Sequence, residues 1–398
     1  MHLKGRLEKH LRAEPLTPMY WNVFLRGLGV SMMGLFTPIF IFLIGQGEGG
    51  VVEGLRLVLI YLFLQRLGIF ILVLGVSKVV AKLGFRISLL LGSVLLVFYY
   101  LIPGVWGEQI WVVYLMASIS AVAIPFYWLS RHSILSMDGK RRKRGAEIGL
   151  LTLIDKGSAM LSPVVGGVIL GLFGFKVLFI VGAVIVLFSS VPPFFMDHHV
   201  KESEVGVKDF WSWVKDRKNR YRVLGFVGDG WEGIVSAYLW PVYIFLIVGS
   251  FQILGGMTSA VLLFSSLMVF LAGRVFDKDR AKGGMEDEKK YWFVGSILAV
   301  LRVLRGAFGT LGGVFGLDLV TKLVSPYYWV PFASYIYSMG EKGKALGIYA
   351  YRSVIYSLGV MILTGILWWV MGQPWRWWGV FGINGVAVLL TFPMARES

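Results

Sequence analysis

Residues 225–249 read GFVGDGWEGIVSAYLWPVYIFLIVG, and this stretch decides what kind of protein the chain forms. A membrane-spanning helix needs about 20 mainly apolar residues, and this stretch is long and apolar enough. Two carboxylates, Asp229 and Glu232, lie inside it. Because an ionisable group inside a bilayer is costly, such groups face the interior of a bundle and mark candidate functional sites.

The same apolar pattern occurs once earlier in the chain. Residues 240–247 read WPVYIFLI and residues 37–44 read TPIFIFLI, so five of the eight positions are identical. Pro241 aligns with Pro38, and each segment has a similar position in its half of the chain. Apolar segments often resemble one another by chance, but the aligned prolines and the equivalent positions indicate an internal duplication.

The composition excludes a water-soluble fold. The chain has 398 residues, of which 57% are apolar, and its mean hydropathy is +0.72. Only α-helices and closed β-barrels satisfy the backbone hydrogen bonds of a chain that crosses a bilayer. Barrel strands would alternate polar and apolar residues, whereas the apolar runs here are continuous. The sequence therefore predicts an all-α membrane protein.

Several kinds of chemistry are excluded by the rare residues. The sequence has no cysteine, which excludes disulfides, thiolate catalysis and cysteine-ligated metals. All five histidines lie in or beside predicted loops. We therefore expect no cofactor, no metal site and no enzymatic activity. The net charge of +16 is typical of membrane proteins with basic cytoplasmic loops, so nucleic-acid binding is not expected.

Twelve segments of the sequence reach the length of a membrane span. Gly-rich breaks and charge runs separate these segments. The predicted helices, labelled α1 to α12, are 22–46, 53–76, 86–103, 109–130, 147–172, 176–195, 223–248, 251–272, 291–309, 312–338, 345–371 and 377–394.

Basic residues in the loops orient these helices. If both termini are cytoplasmic, the inner segments contain 29 Lys and Arg residues, whereas the outer loops contain two, Lys176 and Arg376. Cytoplasmic loops of membrane proteins carry this excess of positive charge. The sequence therefore predicts a multi-pass protein of the cell membrane with both termini in the cytoplasm.

The duplication and the helix count together divide the chain into two halves. Because α1 matches α7, both halves begin on the same side, which makes them parallel repeats about an axis along the membrane normal. The predicted units are a cytoplasmic amphipathic N-terminus at 1–21, an N-terminal six-helix half at 22–195, a cytoplasmic linker with an interfacial helix at 196–222 and a C-terminal six-helix half at 223–398.

Two cytoplasmic loops share a pattern of glycine and basic residues. The loop after α2 reads GVSKVVAKLGFR and the loop after α8 reads GRVFDKDRAK. With the parallel repeats, this pattern resembles the major facilitator superfamily (MFS) over nearly the whole chain. The resemblance implies that the loops latch the cytoplasmic helix ends, mainly in the second half because Val79 replaces an acidic residue. The matching residues are Gly75, Lys82 and Arg86 in the first loop and Gly273, Asp277 and Arg280 in the second.

A run of small residues in α5 forms a third pattern. Residues 158–167 read SAMLSPVVGG, whose small side chains would let a neighbouring helix approach closely and whose proline would bend the helix. The run is similar to the antiporter motif of the superfamily, with a serine for one glycine. The residues concerned are Ser158, Ser162, Pro163, Gly166 and Gly167. Residues 125–135, PFYWLSRHSIL, are similar to a segment of prokaryotic members and imply no substrate.

Charged residues inside the predicted helices are the candidate substrate and coupling residues. The superfamily resemblance implies a central cavity lined by α1, α4, α7 and α10 and by parts of α2, α5, α8 and α11, with α3, α6, α9 and α12 at the periphery. The candidate cavity residues are Arg26, Arg66, Asp155, Lys156, Asp229, Glu232, Asp318, Lys322 and Arg352.

Pairing hypotheses follow from the positions of these charges. Arg26 and Asp229 occupy equivalent positions of the two halves, so we expect them to form an ion pair across the two-fold axis. Glu232 lies one turn deeper than Asp229 and is a candidate proton site. Asp318 and Lys322 are four residues apart, a spacing at which they can neutralise each other.

Two arginines are expected outside the cavity. Arg56 and Arg305 lie nearer the outer face, and we expect their side chains to extend to the membrane–water interface.

The function predicted from these features is secondary active transport of a small organic solute by alternating access, coupled to protons or to Na⁺. Proton-coupled efflux by antiport is the first hypothesis, and proton-coupled uptake of an organic anion is the alternative. A surplus of embedded basic residues favours an anion, whereas the many aromatic residues favour an apolar or cationic solute. From a different class, a lipid-acting intramembrane enzyme or a non-transporting sensor stays open. The expected partners are the solute, protons and the lipid bilayer, with a monomeric protein.

Overall fold

The computed structural model describes residues 17–138, 144–196, 205–280, 285–339 and 345–397. Side chains outside this description are those of 135–153, 155, 156, 267, 269–288, 334, 337, 338 and 395–397. The observed helices are α1 (Thr17–Gly34 and Thr37–Gly49), α2 (Val51–Leu83), α3 (Phe85–Trp106), α4 (Ile110–Asp138), α5 and α6 (together Arg144–Ser189), α7 (Arg220–Ile234, Val235–Leu239 and Trp240–Val248), α8 (Phe251–Arg280), α9 (Met285–Leu304), α10 (Leu311–Met339), α11 (Ala345–Met371) and α12 (Arg376–Leu390).

Many of these helices are long and apolar enough to cross a bilayer. Eight stretches of the described chain qualify by length and hydropathy, and one of them, 157–195, contains both α5 and α6. These two helices meet at Gly174, whose φ of 79° needs a residue without a Cβ. Over their described side chains, α8 is an apolar helix at Phe251–Ser266, shorter than a full span, and α9 and α10 do not qualify.

Several helices extend beyond the predicted spans. The helix α2 ends at Leu83 rather than residue 76, and α4 continues to Asp138 rather than residue 130. Hydropathy marks the thickness of the bilayer, whereas backbone hydrogen bonds can continue into water. As a result the loop predicted after α2 is only the junction at Gly84, where α3 follows directly.

The aligned prolines interrupt α1 and α7 at equivalent places. Leu35 and Phe36 break α1 just before Pro38, and a π-helical segment at Val235–Leu239 precedes Pro241 in α7. Proline has no backbone N–H and its ring clashes with the carbonyl four residues earlier, so a regular helix cannot continue through it. Both copies of the duplicated stretch therefore carry a local break.

The helices form two packed groups. The first group contains α1 to α6, in which α1 packs on the α5–α6 segment and α4 packs on both α2 and α3. In the second group, α7 packs on α11 and α12, α8 packs on α10, and α9 packs on α12. The groups meet mainly where α8 contacts the α5–α6 segment and where α11 contacts α2 and α4.

A short helix at Val207–Lys215 connects the two groups and docks on the second. Phe210 is buried, and the rings of Phe210 and Trp213 lie 5.6 Å from that of Tyr351 in α11. Trp211 is exposed on the other side. The predicted amphipathic face therefore packs partly against the bundle.

Candidate functional site

An ion pair between α7 and α11 lies near the contact of the two groups. Arg352 donates to Asp229 Oδ2 from Nη2 at 2.6 Å and from Nε at 3.2 Å. The Asp229 side chain is buried, whereas the Arg352 side chain keeps 23% of its surface exposed. The positive charge of Arg66, on α2 of the first group, also acts on Asp229. Asp229 is therefore a buried acid, and its partner Arg352 is partly accessible to a ligand.

The predicted pair between Arg26 and Asp229 is wrong. The Arg26 guanidinium lies over the ring of Tyr127, 3.5 Å from its centroid, and forms no ion pair with a described carboxylate. Asp229 instead pairs with Arg352, because α7 packs directly on α11 within the same group. Equivalence under the internal repeat predicted the positions of these charges but not their contacts.

The second carboxylate of α7 has a buried partner within the second group. Glu232 Oε1 lies 2.6 Å from Arg302 Nη2 of α9, and Ser236 donates a hydrogen bond of 2.9 Å to the same carboxylate. The Arg302 side chain is only 2% exposed. Glu232 is therefore enclosed inside the group, whereas Asp229 lies closer to the other group.

Arg305 belongs to the same group of buried polar contacts as Glu232 and Arg302. The prediction that its side chain extends to the membrane–water interface is wrong. The side chain is fully buried, with Nη2 3.5 Å from Asp318 Oδ1 and the guanidinium 4.1 Å from the centre of the Trp240 ring. Trp240 Nε1 donates to Asp318 Oδ1 at 2.9 Å. The arginine points inward because α9 packs against α10, which carries Asp318, and against α12. Arg56, in contrast, lies near a helix end and pairs with Glu53.

The network joins four helices at the π-helical segment of α7. Arg305 Nη1 lies 3.3 Å from Ser236 Oγ, inside that segment, and 3.4 Å from Asn384 Oδ1 of α12. Asn384 in turn donates to the Glu232 carbonyl oxygen at 3.4 Å. π-Helical turns are frequent at functional sites. The predicted neutralisation of Asp318 by Lys322 stays a prediction. Asp318 contacts Arg305 and Trp240.

Sequence reasoning missed a polar cluster in the first group. Gln65 donates to Tyr61 Oη at 2.9 Å and to Ser120 Oγ at 2.8 Å, and the hydroxyls of Tyr61 and Tyr99 are 2.8 Å apart. The Tyr61 ring lies 6.0 Å from that of Tyr238 in α7. The signal available in the sequence was a glutamine inside an otherwise apolar span.

An aromatic contact joins the groups on the side that carries the linker. The His132 ring of α4 stacks on Trp128 at 5.1 Å and on Tyr349 of α11 at 4.6 Å. Sequence reasoning placed His132 beside a loop, but α4 continues past it. The side chain lies between the groups because α11 crosses α4 there.

The small residues of α5 lie at the contact with α8 and α1. A Cβ at Gly167 would meet the Phe251 carbonyl oxygen of α8, and one at Gly166 would meet Met32 of α1. Ser259 of α8 accepts a hydrogen bond of 3.0 Å from the Val164 amide. Ser158 and Ser162 are buried on the same helix. The α5 run therefore sits at one of the two main contacts between the groups.

Replacing Gly255 with alanine is expected to separate α8 from α5. The new Cβ would collide with the Pro163 carbonyl oxygen, which is backbone and cannot turn away. We expect a loss of stability of about 1–3 kcal/mol, the usual cost of overpacking. The measurement is the unfolding temperature of each purified protein in detergent.

The neighbouring Gly256 provides the matched control. A Cβ there meets nothing within 4 Å. Alanine at that position removes only backbone freedom, so the unfolding temperature of Gly256→Ala should stay the same or rise. Equal behaviour of the two variants would show that α5 and α8 are not held in close contact.

The remaining predicted residues lie in the first latch loop or outside the described side chains. Gly75 faces outward, and Arg86 donates to the Met196 carbonyl oxygen at 3.2 Å, a contact within the first group. Lys82 lies in the last turn of α2. The side chains of Asp155, Lys156, Asp277 and Arg280 and the surroundings of Gly273 lie outside the described part of the chain.

Solved structures of known proteins share this architecture over nearly the whole chain. A variant of the E. coli fucose:proton symporter FucP matches with a TM-score of 0.65 at 15% identity, covering 96% of this chain and 98% of that chain. FucP in the outward conformation, an MFS transporter, matches with a TM-score of 0.64 at 14% identity and the same shares. No protein-family model matches the sequence, and no curated protein matches it either.

These matches show the fold. The chain is an all-α, multi-pass membrane protein with the fold of MFS transporters, which confirms the fold class predicted from the sequence. FucP itself is a fucose:proton symporter.

Proposed function

We propose that this protein is a secondary active transporter that moves a small organic solute by alternating access and couples this movement to protons. The observation that carries the proposal is the ion pair between Asp229 and Arg352. It joins two helices of one group, and one of them, α11, packs on α2 and α4 of the other group. A charge at that place can respond to the solute and to the relative position of the groups.

Protonation of Asp229 would change what Arg352 can bind. The ionised carboxylate holds two donors of the guanidinium. A proton on Asp229 neutralises that carboxylate and weakens its hold on the Arg352 guanidinium. The two six-helix halves, which we place at 22–195 and 223–398, would rock about this region with both termini on the cytoplasmic side.

Export by proton antiport is one coupling mode for this site. It is supported by the small residues of α5, which lie where the two groups pack most closely. A cationic solute would compete with the proton for Asp229, and competition of this kind produces antiport.

Uptake of an organic anion together with protons is the second mode, and the arrangement of charges favours it. Because a proton on Asp229 weakens its hold on Arg352, proton binding at Asp229 and anion binding at Arg352 would assist each other. Linkage requires the effect to be reciprocal. Cooperative binding of this kind produces symport.

Solute-dependent proton movement tests the proposal and separates the two modes. The protein is reconstituted into liposomes that contain the pH-sensitive dye pyranine, and candidate solutes are added outside. A solute that enters by symport acidifies the lumen, whereas entry by antiport makes it alkaline. The sign does not depend on the orientation of the protein in the liposome.

The candidate solutes for this assay do not cross the membrane unaided. They include anions, neutral polyols and cations. Empty liposomes treated in the same way correct for leakage. If no solute of any class moves protons, the transport proposal is rejected, and a sensor or a lipid-acting protein takes its place.

A further inference from the structure

Two arginines of the first group have no carboxylate partner among the described side chains. The Arg26 guanidinium lies 3.5 Å from the centre of the Tyr127 ring and 5.9 Å from that of Trp128. The Arg66 guanidinium lies 4.8 Å from the centre of the Tyr356 ring. Neither arginine forms an ion pair within 4 Å with any carboxylate in the described part of the chain.

The carboxylates inside the second group are already matched by other arginines. Asp229 pairs with Arg352, Glu232 with Arg302 and Asp318 with Arg305. Those pairs each join two helices of the second group. The two stacked arginines of α1 and α2 therefore have no ion-pair partner among the described carboxylates.

Arg66 lies beside α11, where the groups meet, and stacked rings connect the Arg26 site to the same helix. Tyr356 belongs to α11, and the stack that begins at Trp128 continues through His132 to Tyr349 of the same helix. Arg352 lies between these two tyrosines along α11 and acts electrostatically on His132. Arg66 thus borders the region of the proposed proton site, and Arg26 is connected to it through the stacked rings.

The stacking leaves the guanidinium groups able to bind an anion. A ring face contacts the flat face of a guanidinium, while the N–H groups lie around its edge. The Nε atoms of Arg26 and Arg66 are buried and have no hydrogen-bond partner in the part of the chain that the structure describes. An unpaired cation with unused donors inside a membrane protein is costly, and a carboxylate or phosphate can satisfy both the charge and the donors.

We propose that Arg26 and Arg66 form an anion-binding subsite for the transported solute, which is an organic oxyanion such as a carboxylate or a phosphate ester. The solute adds a hydrophobic or ring portion against Trp128 and Tyr356. This inference rests on the proposed function only in that the bound anion is also the transported solute. The binding site itself can be tested without transport.

Thermal unfolding of the purified protein measures this binding. The probes are benzoate, succinate and glycerol 3-phosphate, each compared at constant ionic strength with an uncharged counterpart: benzamide, succinamide and glycerol. A ligand of the folded state raises the unfolding temperature by mass action. We expect at least one oxyanion to raise it saturably, and its uncharged counterpart to have no effect.

The variants Arg26→Gln and Arg66→Gln are expected to lower the affinity for that oxyanion by at least about tenfold, because each loses a charge-assisted hydrogen bond. Without ligand they should unfold at the same temperature as the parent or higher, because an uncompensated charge has been removed. Arg56→Gln is the matched control. Arg56 belongs to the same helix as Arg66 and lies 5.2 Å from the ring centre of Trp368, but it pairs with Glu53.

Three outcomes overturn the anion subsite. One is that no oxyanion shifts the unfolding temperature. Another is that the shift survives in both arginine variants, and the third is that Arg56→Gln loses it equally. If neutral or cationic solutes then move protons in liposomes, transport stands and only the anion subsite fails. If an oxyanion binds through Arg26 and Arg66 but no solute moves protons, the subsite stands and the transport proposal fails.

Discussion

Replacing Glu232 with glutamine is expected to lower the free energy of unfolding by about 3–5 kcal/mol, as for a buried ion pair that loses one partner. Arg302 would keep its charge at 2% exposure without the carboxylate 2.6 Å away. Its Nε and Nη1 atoms already lack hydrogen-bond partners. The measurement is reversible unfolding by SDS in mixed micelles.

Two further variants show whether the unpaired charge causes the loss. Glu53→Gln breaks the pair with Arg56, whose side chains are 45% and 32% exposed, and should cost at most about 1 kcal/mol. Glu232→Leu combined with Arg302→Leu removes both charges and should recover much of the loss. If Glu232→Gln is as stable as the parent protein but loses proton coupling, Glu232 is the proton site that the sequence suggested.

Replacing Asp229 with asparagine is expected to abolish accumulation of the solute against its gradient. Asparagine keeps the shape of the side chain but cannot take up a proton. One pH unit corresponds to 1.36 kcal/mol, so a carrier that moves one proton with each solute can reach about tenfold accumulation. In the Asp229→Asn variant the ratio should fall to about one. The solute is the one that moves protons in the pyranine assay.

Exchange of labelled for unlabelled solute distinguishes loss of coupling from loss of function. The Asp229→Asn protein should still exchange solute, because the exchange needs the moving halves but no net proton transfer. Glu53→Gln, at the far end of α2, should retain both accumulation and exchange. If Asp229→Asn still accumulates solute to the level of the parent, the ion pair with Arg352 is not the coupling site.

The sequence by itself determined the class of protein and the outline of the fold. Continuous apolar runs such as 225–249 can satisfy their backbone hydrogen bonds in a membrane only as helices. The aligned prolines also predicted equivalent positions in the two halves, and both α1 and α7 are broken next to them. These features depend on local composition and spacing, which the linear chain contains in full.

The partners of the embedded charges were decided only by the tertiary structure. Arg26 was predicted to pair with Asp229 but stacks on Tyr127, and Arg305 was predicted at the interface but lies fully buried beside Asp318. A charge inside a membrane must find compensation, so the sequence shows that a partner exists. Which partner it finds depends on which helices pack together and how each is rotated, and residues far apart in the chain decide both.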